Sequence, residues 1–455
     1  MPERHSRDFE GFDEAIDDLA QISERTRGMA TGRLRADRMV GAALVVALAA
    51  FASSLGCASW GEEVCADFPS HSQPARFSIG TSDALEVDGL VDRLEPGQVV
   101  AVGEGTHGTH EFRRFQVLVM QALVEELGYR GVALEGFGVE ALWVNDYICN
   151  DEEPFDPILA ASDEYYDAID WLRAYNQARD FEDCVEFIPF DSIDNGRAPI
   201  VQVLTTLDEL GVTLGVEPVH EACLRDWFEP DAKVADGCRL QAAEALGRAL
   251  AKLEPEHAEL RAAASFARQG AQQAEAMARA EVRDYYMAAN VMAALEDHPQ
   301  GIVVWAHDGH VSEGPIPAEI NGGNSANTMG SVLSRWLGER YVSIGQLSTG
   351  GRAMVDLRAA GRRREVSLPT RPGSFEALVG TADIAVDLRD LSPDNLAWQC
   401  VMVEHHVMWL GGPSAPSRTR GGQRIVPGAN FDILVVLGET SSARQTPGRY
   451  LGHVP

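Results

Sequence analysis

Two short segments, far apart in the chain, carry the residues best suited to moving protons. Glu104 and His107 are three apart in Gly103-Glu104-Gly105-Thr106-His107, and His307 and His310 are three apart in His307-Asp308-Gly309-His310. An imidazole changes charge near neutrality, so it can take a proton from an attacking nucleophile and return it to a leaving group. A carboxylate beside it can orient the ring and stabilise the imidazolium that forms. Glu135 and Asp191 are further ionisable residues that follow apolar runs directly. No Gly-x-Ser-x-Gly elbow occurs and no serine stands out as a nucleophile, so any hydrolysis would use water without a covalent acyl intermediate. Two carboxylates with two or three histidines could also hold a divalent cation. No CxxC pair or Cys/His cluster suggests a structural zinc site.

Each of these residues lies at the end of a candidate strand. Val99–Val102 precedes Glu104, Gly131–Leu134 precedes Glu135, Val185–Phe190 precedes Asp191, and Ile302–Trp305 precedes His307. Continuous runs rich in β-branched residues read as strands buried on both faces, as in a parallel sheet covered by helices. Ligands bind such sheets beyond the carboxyl ends of the strands, so the two histidine sets are expected to meet in one pocket. Asp191 has a plainer alternative as the cap of a following helix. Residues 85–94 are expected to form a short helix. Phe112, Phe115, Val119, Ala122 and Leu123 trace an amphipathic helix ended by Gly128.

Strand and helix then alternate, which predicts an α/β fold: three layers, α/β/α, with a mostly parallel central sheet. Residues 200–295 break the alternation and read as a helical insertion, a natural wall or lid for the pocket. The sheet is expected to resume at Ile302–Trp305, Tyr341–Ile344, Ile384–Val386 and Ile433–Leu437. Arg362-Arg363-Arg364 and the stretch from Gly411 to Gln423 read as solvated loops.

The 455 residues are 45% hydrophobic and 24% charged, an ordinary globular composition, and the net charge of −31 excludes a nucleic-acid surface. Arg33, Arg35 and Arg38 precede an uncharged apolar stretch over residues 39–56, the pattern of a secretory signal. Gly56-Cys57 offers a lipoprotein-type cleavage point with Cys57 as the lipidated residue, and Ala50-Phe51-Ala52 offers an ordinary one. An uncleaved anchor is also possible in length, since about 18 apolar residues suffice. Residues 1–65 are therefore expected to be a tail, export or membrane-anchor segment and linker, and residues 66–455 one exported globule. Without Cys57 six cysteines remain, an even set that permits disulfides outside the cytoplasm. Cys223–Cys238 is the expected pair, closing a short polar loop.

The chain resembles the erythromycin esterase family, whose hallmark is a strand ending in Gly-Glu-x-x-His followed by Glu-Phe. Here that is Gly103-Glu104-Gly105-Thr106-His107 with Glu111-Phe112. Leu127-Gly128-Tyr129, Val144-Asn145-Asp146-Tyr147-Ile148, Trp171 to Asn176, Arg283-Asp284 with Met287-Ala288 and Asn290, His307 to His310, Met329-Gly330, Gly373 to Glu376, and Phe431-Asp432 follow in order. The resemblance implies hydrolysis of a carboxylic ester or lactone of the macrolide kind, with His107 as general base. Glu104 and Glu135 would support it, while His307 and His310 would position substrate or transfer protons. Arg114, Gln116 and Asp191 are the expected substrate contacts. The family usually has an arginine where Gln116 stands, so a cation is missing there unless Arg113 substitutes. His110 does not match the motif and is expected on the surface or behind the site. No cofactor is expected, with a divalent metal as the alternative. Two other readings remain: an exported lipoprotein binding haem or another ligand through His107, His307 and His310, and a metal-dependent hydrolase or peptidase.

Overall fold

A computed structural model describes residues 65–446 apart from 66–67, 82–83, 137, 139, 151–161, 180–182, 192–281 except 245 and 272, 317–326, 358–361, 381–382 and 409–422. The chain divides into two units, Met1–Cys57 and Ala58–Pro455. The first, with the apolar stretch and Cys57, lies outside the described residues, as does most of the expected insertion. Among the described residues no helix is long and apolar enough to cross a membrane.

The strands are β1 (Arg76–Phe77), β2 (Gly80–Thr81), β3 (Ala84–Leu85), β4 (Val99–Val102), β5 (Gly131–Leu134), β6 (Glu186–Phe187) and β7 (Ile302–Trp305). They continue with β8 (Tyr341–Leu357), β9 (Arg362–Ser367), β10 (Ile384–Asp387), β11 (His405–Val407), β12 (Gln423–Ile425) and β13 (Ile433–Thr440). The principal helices are α1 (His110–Glu126), α2 (Glu140–Cys149), α3 (Asp163–Gln177), α4 (Arg283–Asp297), α5 (Asp308–Val311), α6 (Met329–Leu337), α7 (Phe375–Val379) and α8 (Leu396–Val401).

The central sheet has the order β1-β10-β13-β8-β4-β7-β5-β6, with β9 attached to β8. From β13 to β6 the pairings are parallel, and β10 and β1 add an antiparallel edge. Register fixes where the strands stop: Val102 lies opposite both Trp305 and Ile344, and Leu134 lies opposite Trp305. The segments after β4, β5 and β7 therefore leave one edge of the sheet at one level.

Alternation along the strands builds the two outer layers. Val100, Val102, Val132, Leu134, Val303 and Trp305 pack with Phe112, Phe115, Val144, Ile169 and Leu172 of α1, α2 and α3. Val99, Ala101, Ala133, Ile302 and Val304 pack with Met287, Val291, Val332 and Leu333 of α4 and α6. This is the expected three-layer fold. Each large apolar side chain buried here contributes about 1.5–3 kcal/mol relative to exposure.

Four local expectations are corrected. Only Asp88–Val91 is helical within residues 85–94, because Ala84–Leu85 is taken up by β3. β8 runs far past Ile344, since its outer half pairs with β9 and with β13. Arg362-Arg363-Arg364 is consequently strand rather than loop, because a main-chain ladder can hold residues of any side chain. Gln423 likewise opens β12, and the rest of the stretch from Gly411 lies outside the described residues.

Among the described residues two disulfides are present, Cys65–Cys400 and Cys149–Cys184. Cys65, expected in the linker, is thus bonded to α8 of the globule. Cys223 and Cys238, the pair expected to join, lie outside the described residues. Near the C-terminus, residues 441–446 lie across the starts of α1 and α3. His110 N–H donates to Ser441 O, Glu111 accepts from Ser441, Asp163 accepts from Thr446, and Glu164 accepts from Arg444 N–H. Carboxylates in a first helical turn also suit the positive end of the helix dipole.

Candidate active site

The loop after β4 is held on every side by main-chain bonds. Glu104 N–H donates to Ala306 O at 3.0 Å, Asp308 N–H to Glu104 O at 3.0 Å, and Glu135 N–H to Trp305 O at 2.8 Å. These contacts join the ends of β4, β5 and β7. A Cβ at position 103 would stand 2.0 Å from Asp308 Oδ1, so glycine lets α5 approach. Beyond His107, Gly108 O accepts from both Met354 N–H and Ala443 N–H, each at 2.8 Å.

Three imidazoles and four carboxylates gather at this edge. His107 Nδ1 donates to Glu104 Oε1 at 2.7 Å, since a carboxylate can only accept, and that leaves Nε2 unprotonated in the neutral ring. His107 Nε2 lies 4.0 Å from Glu135 Oε1, beyond hydrogen-bond reach. The His107 and His307 ring centres are 5.0 Å apart. Glu135 Oε2 accepts His307 N–H at 2.6 Å, while Oε1 is 3.3 Å from His310 Nε2 and 3.2 Å from Arg283 Nη2. Asp191 grips Arg283 through both oxygens, at 3.0 and 2.7 Å, and also accepts Gly136 N–H. Such bidentate geometry fixes the guanidinium plane. His310 Nδ1 donates to Asp284 Oδ1.

The three histidines differ in charge because their neighbours differ. For His107, burial opposes protonation, but Glu135 and Glu104 outweigh it and raise its pKa above the ordinary value. For His310, burial is overcome by Asp284 and Glu135, and the pKa rises to about 10. Its Nε2–H then faces Glu135, and Arg283 Nη1 at 3.1 Å is a cationic neighbour rather than a donor to it. Burial and the nearby His107 push His307 down to about 3, so it is neutral. Burial works against Glu135, yet His310, His107 and Arg283 hold its pKa well below the ordinary value. Of the three rings, His107 is the open one: 40% of its side chain is exposed, against 9% for His310.

The structure therefore brings Glu104, His107, Glu135, His307, His310 and Asp191 together, with Asp191 buried against Arg283 rather than lining open space. It separates Arg114, Gln116 and His110 from them. Arg114 is exposed on the outer face of α1. Gln116 is buried, and its amide donates to Val102 O at 3.1 Å and lies 3.4 Å from Gly103 O, tying α1 to the end of β4. His110 pairs with Glu164 at 2.5 Å and with Arg444.

Four neighbours lie outside the expected site residues: Tyr165, which the sequence reading does not single out, Arg283 and Asp284, named there only as part of the family resemblance, and Arg113, named only as a possible substitute for the missing cation. Arg113 lies buried beside Glu104, with Cζ 4.4 Å above the Tyr165 ring. The signal for Arg113 over Arg114 is helical phase, because residues 113 and 116 follow the stripe of Phe112, Phe115 and Val119 while 114 points away. Arg283 and Asp284, which open α4 at the end of the expected insertion, carry no comparable signal beyond their place in the family resemblance.

Metal chemistry has one geometric candidate among the described residues, Cys65 with Cys400 and His405, and both sulfurs are joined in the disulfide. In the histidine cluster, Nδ1 of His307 accepts Gly309 N–H and both nitrogens of His310 face carboxylates. His310 therefore has no nitrogen to offer a ligand shared with the other two rings, which weighs against a haem or metal held by all three histidines.

The erythromycin esterase family model matches residues 124–440. The chain belongs to the erythromycin esterase family. Type II erythromycin esterase of Escherichia coli is 24% identical over 299 residues, spanning 56% of this chain and 70% of that protein. A Bacillus cereus protein of known structure superposes with a TM-score of 0.67 at 21% identity, over 83% of this chain and 99% of its own. A succinoglycan biosynthesis protein gives 0.67 at 19% identity, over 83% and 98%. A mutant of the erythromycin esterase EreC, in its open conformation, gives 0.59 at 16% identity, over 82% and 99%. At such identities these structures speak for the family's fold.

Proposed function

We propose that the protein hydrolyses a carboxylic ester or lactone of the macrolide kind by attack of water assisted by His107. The observation that carries this reading is the placement of His107: Nδ1 is tied to Glu104, Nε2 stands 4.0 Å from Glu135, and 40% of the side chain is exposed. That nitrogen can take a proton from water as it attacks the acyl carbon. Glu104 then faces a newly formed imidazolium and stabilises it, and the proton passes to the leaving alkoxide. His310 as a cation, and Arg283 beside it, supply positive charge where an oxyanion would develop. His307, neutral, shapes the pocket and positions substrate.

No cofactor is required in this scheme. The test is turnover of a panel of macrolides, small lactones and aryl esters by protein lacking residues 1–57, with and without chelator. Hydrolysis that disappears in His107→Ala and persists in chelator supports it. Hydrolysis that chelator abolishes and added metal restores would replace it with a metal-dependent reaction.

The protein is further proposed to be exported, and to be held at a membrane through Cys57 or released by ordinary cleavage. Two disulfides support an oxidising compartment. Mass spectrometry of the native protein distinguishes a lipidated Cys57 from a simple cut, and recovery of the full-length chain from the cytoplasm would overturn export.

A further inference from the structure

Arg113 has 11% of its side chain exposed, and its polar contacts lead to the general-base loop. Its Nη2 donates to the main-chain carbonyl of His107. Its Nε stands 3.8 Å from Glu104 Oε2, and its guanidinium lies on the Tyr165 ring. Neither Arg113 Nε nor Glu104 Oε2 makes a hydrogen bond to another described residue. A buried guanidinium persists where a counter-charge answers it, and here the counter-charge is the same carboxylate that holds His107.

We infer that Arg113 is a positioning residue for His107, sharing Glu104 with it, fixing the loop carbonyl, and opposing the negative field of the two carboxylates around the ring. The inference rests on the proposed role of His107 and adds the group that keeps it usable as a base. His107 is faced by Glu104 after β4, Glu135 after β5, His307 after β7, Arg113 from α1 and, through Arg113, Tyr165 from α3, while His310 meets the far side through Glu135. Two carboxylates alone would favour an imidazolium that holds its proton. Arg113 works in the opposite direction.

The same contacts bear on Gln116. Position 116 lies about one helical turn beyond 113 on α1, and the Gln116 amide is committed to the carbonyls at the end of β4. The family resemblance implies a cation at 116; on this inference Arg113 takes its part from one turn earlier, beside Glu104 on the same face of the helix.

The experiment compares pH profiles of kcat and KM for wild type, Arg113→Gln, Arg113→Lys and the double variant Arg113→Gln/Gln116→Arg. Arg113→Gln is expected to move the acid limb of kcat/KM upward by about one pH unit, with KM nearly unchanged. Arg113→Lys, which keeps the charge, should recover part of the shift, and the double variant should return the limb toward wild type. In parallel, NMR titration of His107 reads the same quantity without turnover: its pKa should rise in Arg113→Gln and fall back in the double variant. An unmoved His107 titration in folded Arg113→Gln, or an effect confined to KM, would overturn the inference. Absence of turnover in the wild type, with the His107 titration shifted as expected, would instead fault the esterase reading.

Discussion

His107 and His110, three residues apart, are bound to carboxylates of different elements: His107 Nδ1 is 2.7 Å from Glu104, and His110 Nδ1 is 2.5 Å from Glu164. His110 is also held by Arg444, so it belongs to the tie between α1, α3 and the C-terminal segment. His107→Ala should lower turnover by roughly 10²–10⁴-fold, the usual contribution of a positioned base. His110→Ala should act mainly on stability, visible as a lower denaturation midpoint. Equal losses of kcat in the two variants would show that the wrong histidine has been assigned to the pocket.

Glu104→Gln keeps an acceptor near His107 but removes the charge. Because Glu135 and Glu104 together raise the His107 pKa against burial, the variant's acid limb in kcat/KM should move to lower pH. Its kcat should fall across the whole range, since the imidazolium loses its support. A limb that stays in place would mean that Glu104 does not set the protonation of the base.

His310 links stability to pH. Its folded pKa is raised to about 10 from an ordinary 6.5. Its stabilising contribution is therefore complete below about pH 6.5 and is lost as pH rises toward 10. Urea denaturation of the wild type should show this decline on the alkaline side, and Asp284→Asn should flatten it. A slope unchanged by Asp284→Asn would assign the alkaline loss to other groups.

Gly108 is where two segments pin the catalytic loop. A Cβ there would lie 1.8 Å from Met354 O, a main-chain atom with little freedom to yield. Gly108→Ala should therefore destabilise the fold by about 1–3 kcal/mol, the range for forced overpacking, and depress kcat through displacement of His107. Denaturant titration with an unchanged midpoint would contradict the close packing of the loop against β8.

Much of the sheet is legible because strands buried on both faces must be apolar throughout, and such runs are short, bounded and rich in Val and Ile. The residues that end those runs stand out for the same reason, as with Glu104, Glu135 and His307. β9 is hidden because Arg362-Arg363-Arg364 has no apolar pattern: only the partner strand β8, itself longer than its apolar start suggests, makes it a strand.

The site is less legible wherever it depends on convergence. Arg283 comes at the end of a stretch rich in Ala, Glu, Gln and Arg, where another arginine reads as solvated surface. Its meaning arises only when α4 brings it within 2.7 Å of Asp191 and 3.2 Å of Glu135. Asp191 shows the reverse case, a residue found by its place after β6 whose work is to hold that arginine. Arg113 and Arg114 are neighbours of one type, and only the phase of α1 separates them.

The bond between Cys65 and Cys400 turns most of the globule into a covalent ring whose closing points are 335 positions apart in sequence. One cut by a protease anywhere inside that ring, including in the long stretch between β6 and α4, opens the loop without releasing a fragment. A nicked molecule would keep its mass on a non-reducing gel and part into pieces only when thiol is added. After a cut between β6 and α4, Glu104 and His107 on one side and His307 and His310 on the other would stay tethered, so cleavage of the backbone would not by itself separate the two halves of the cluster.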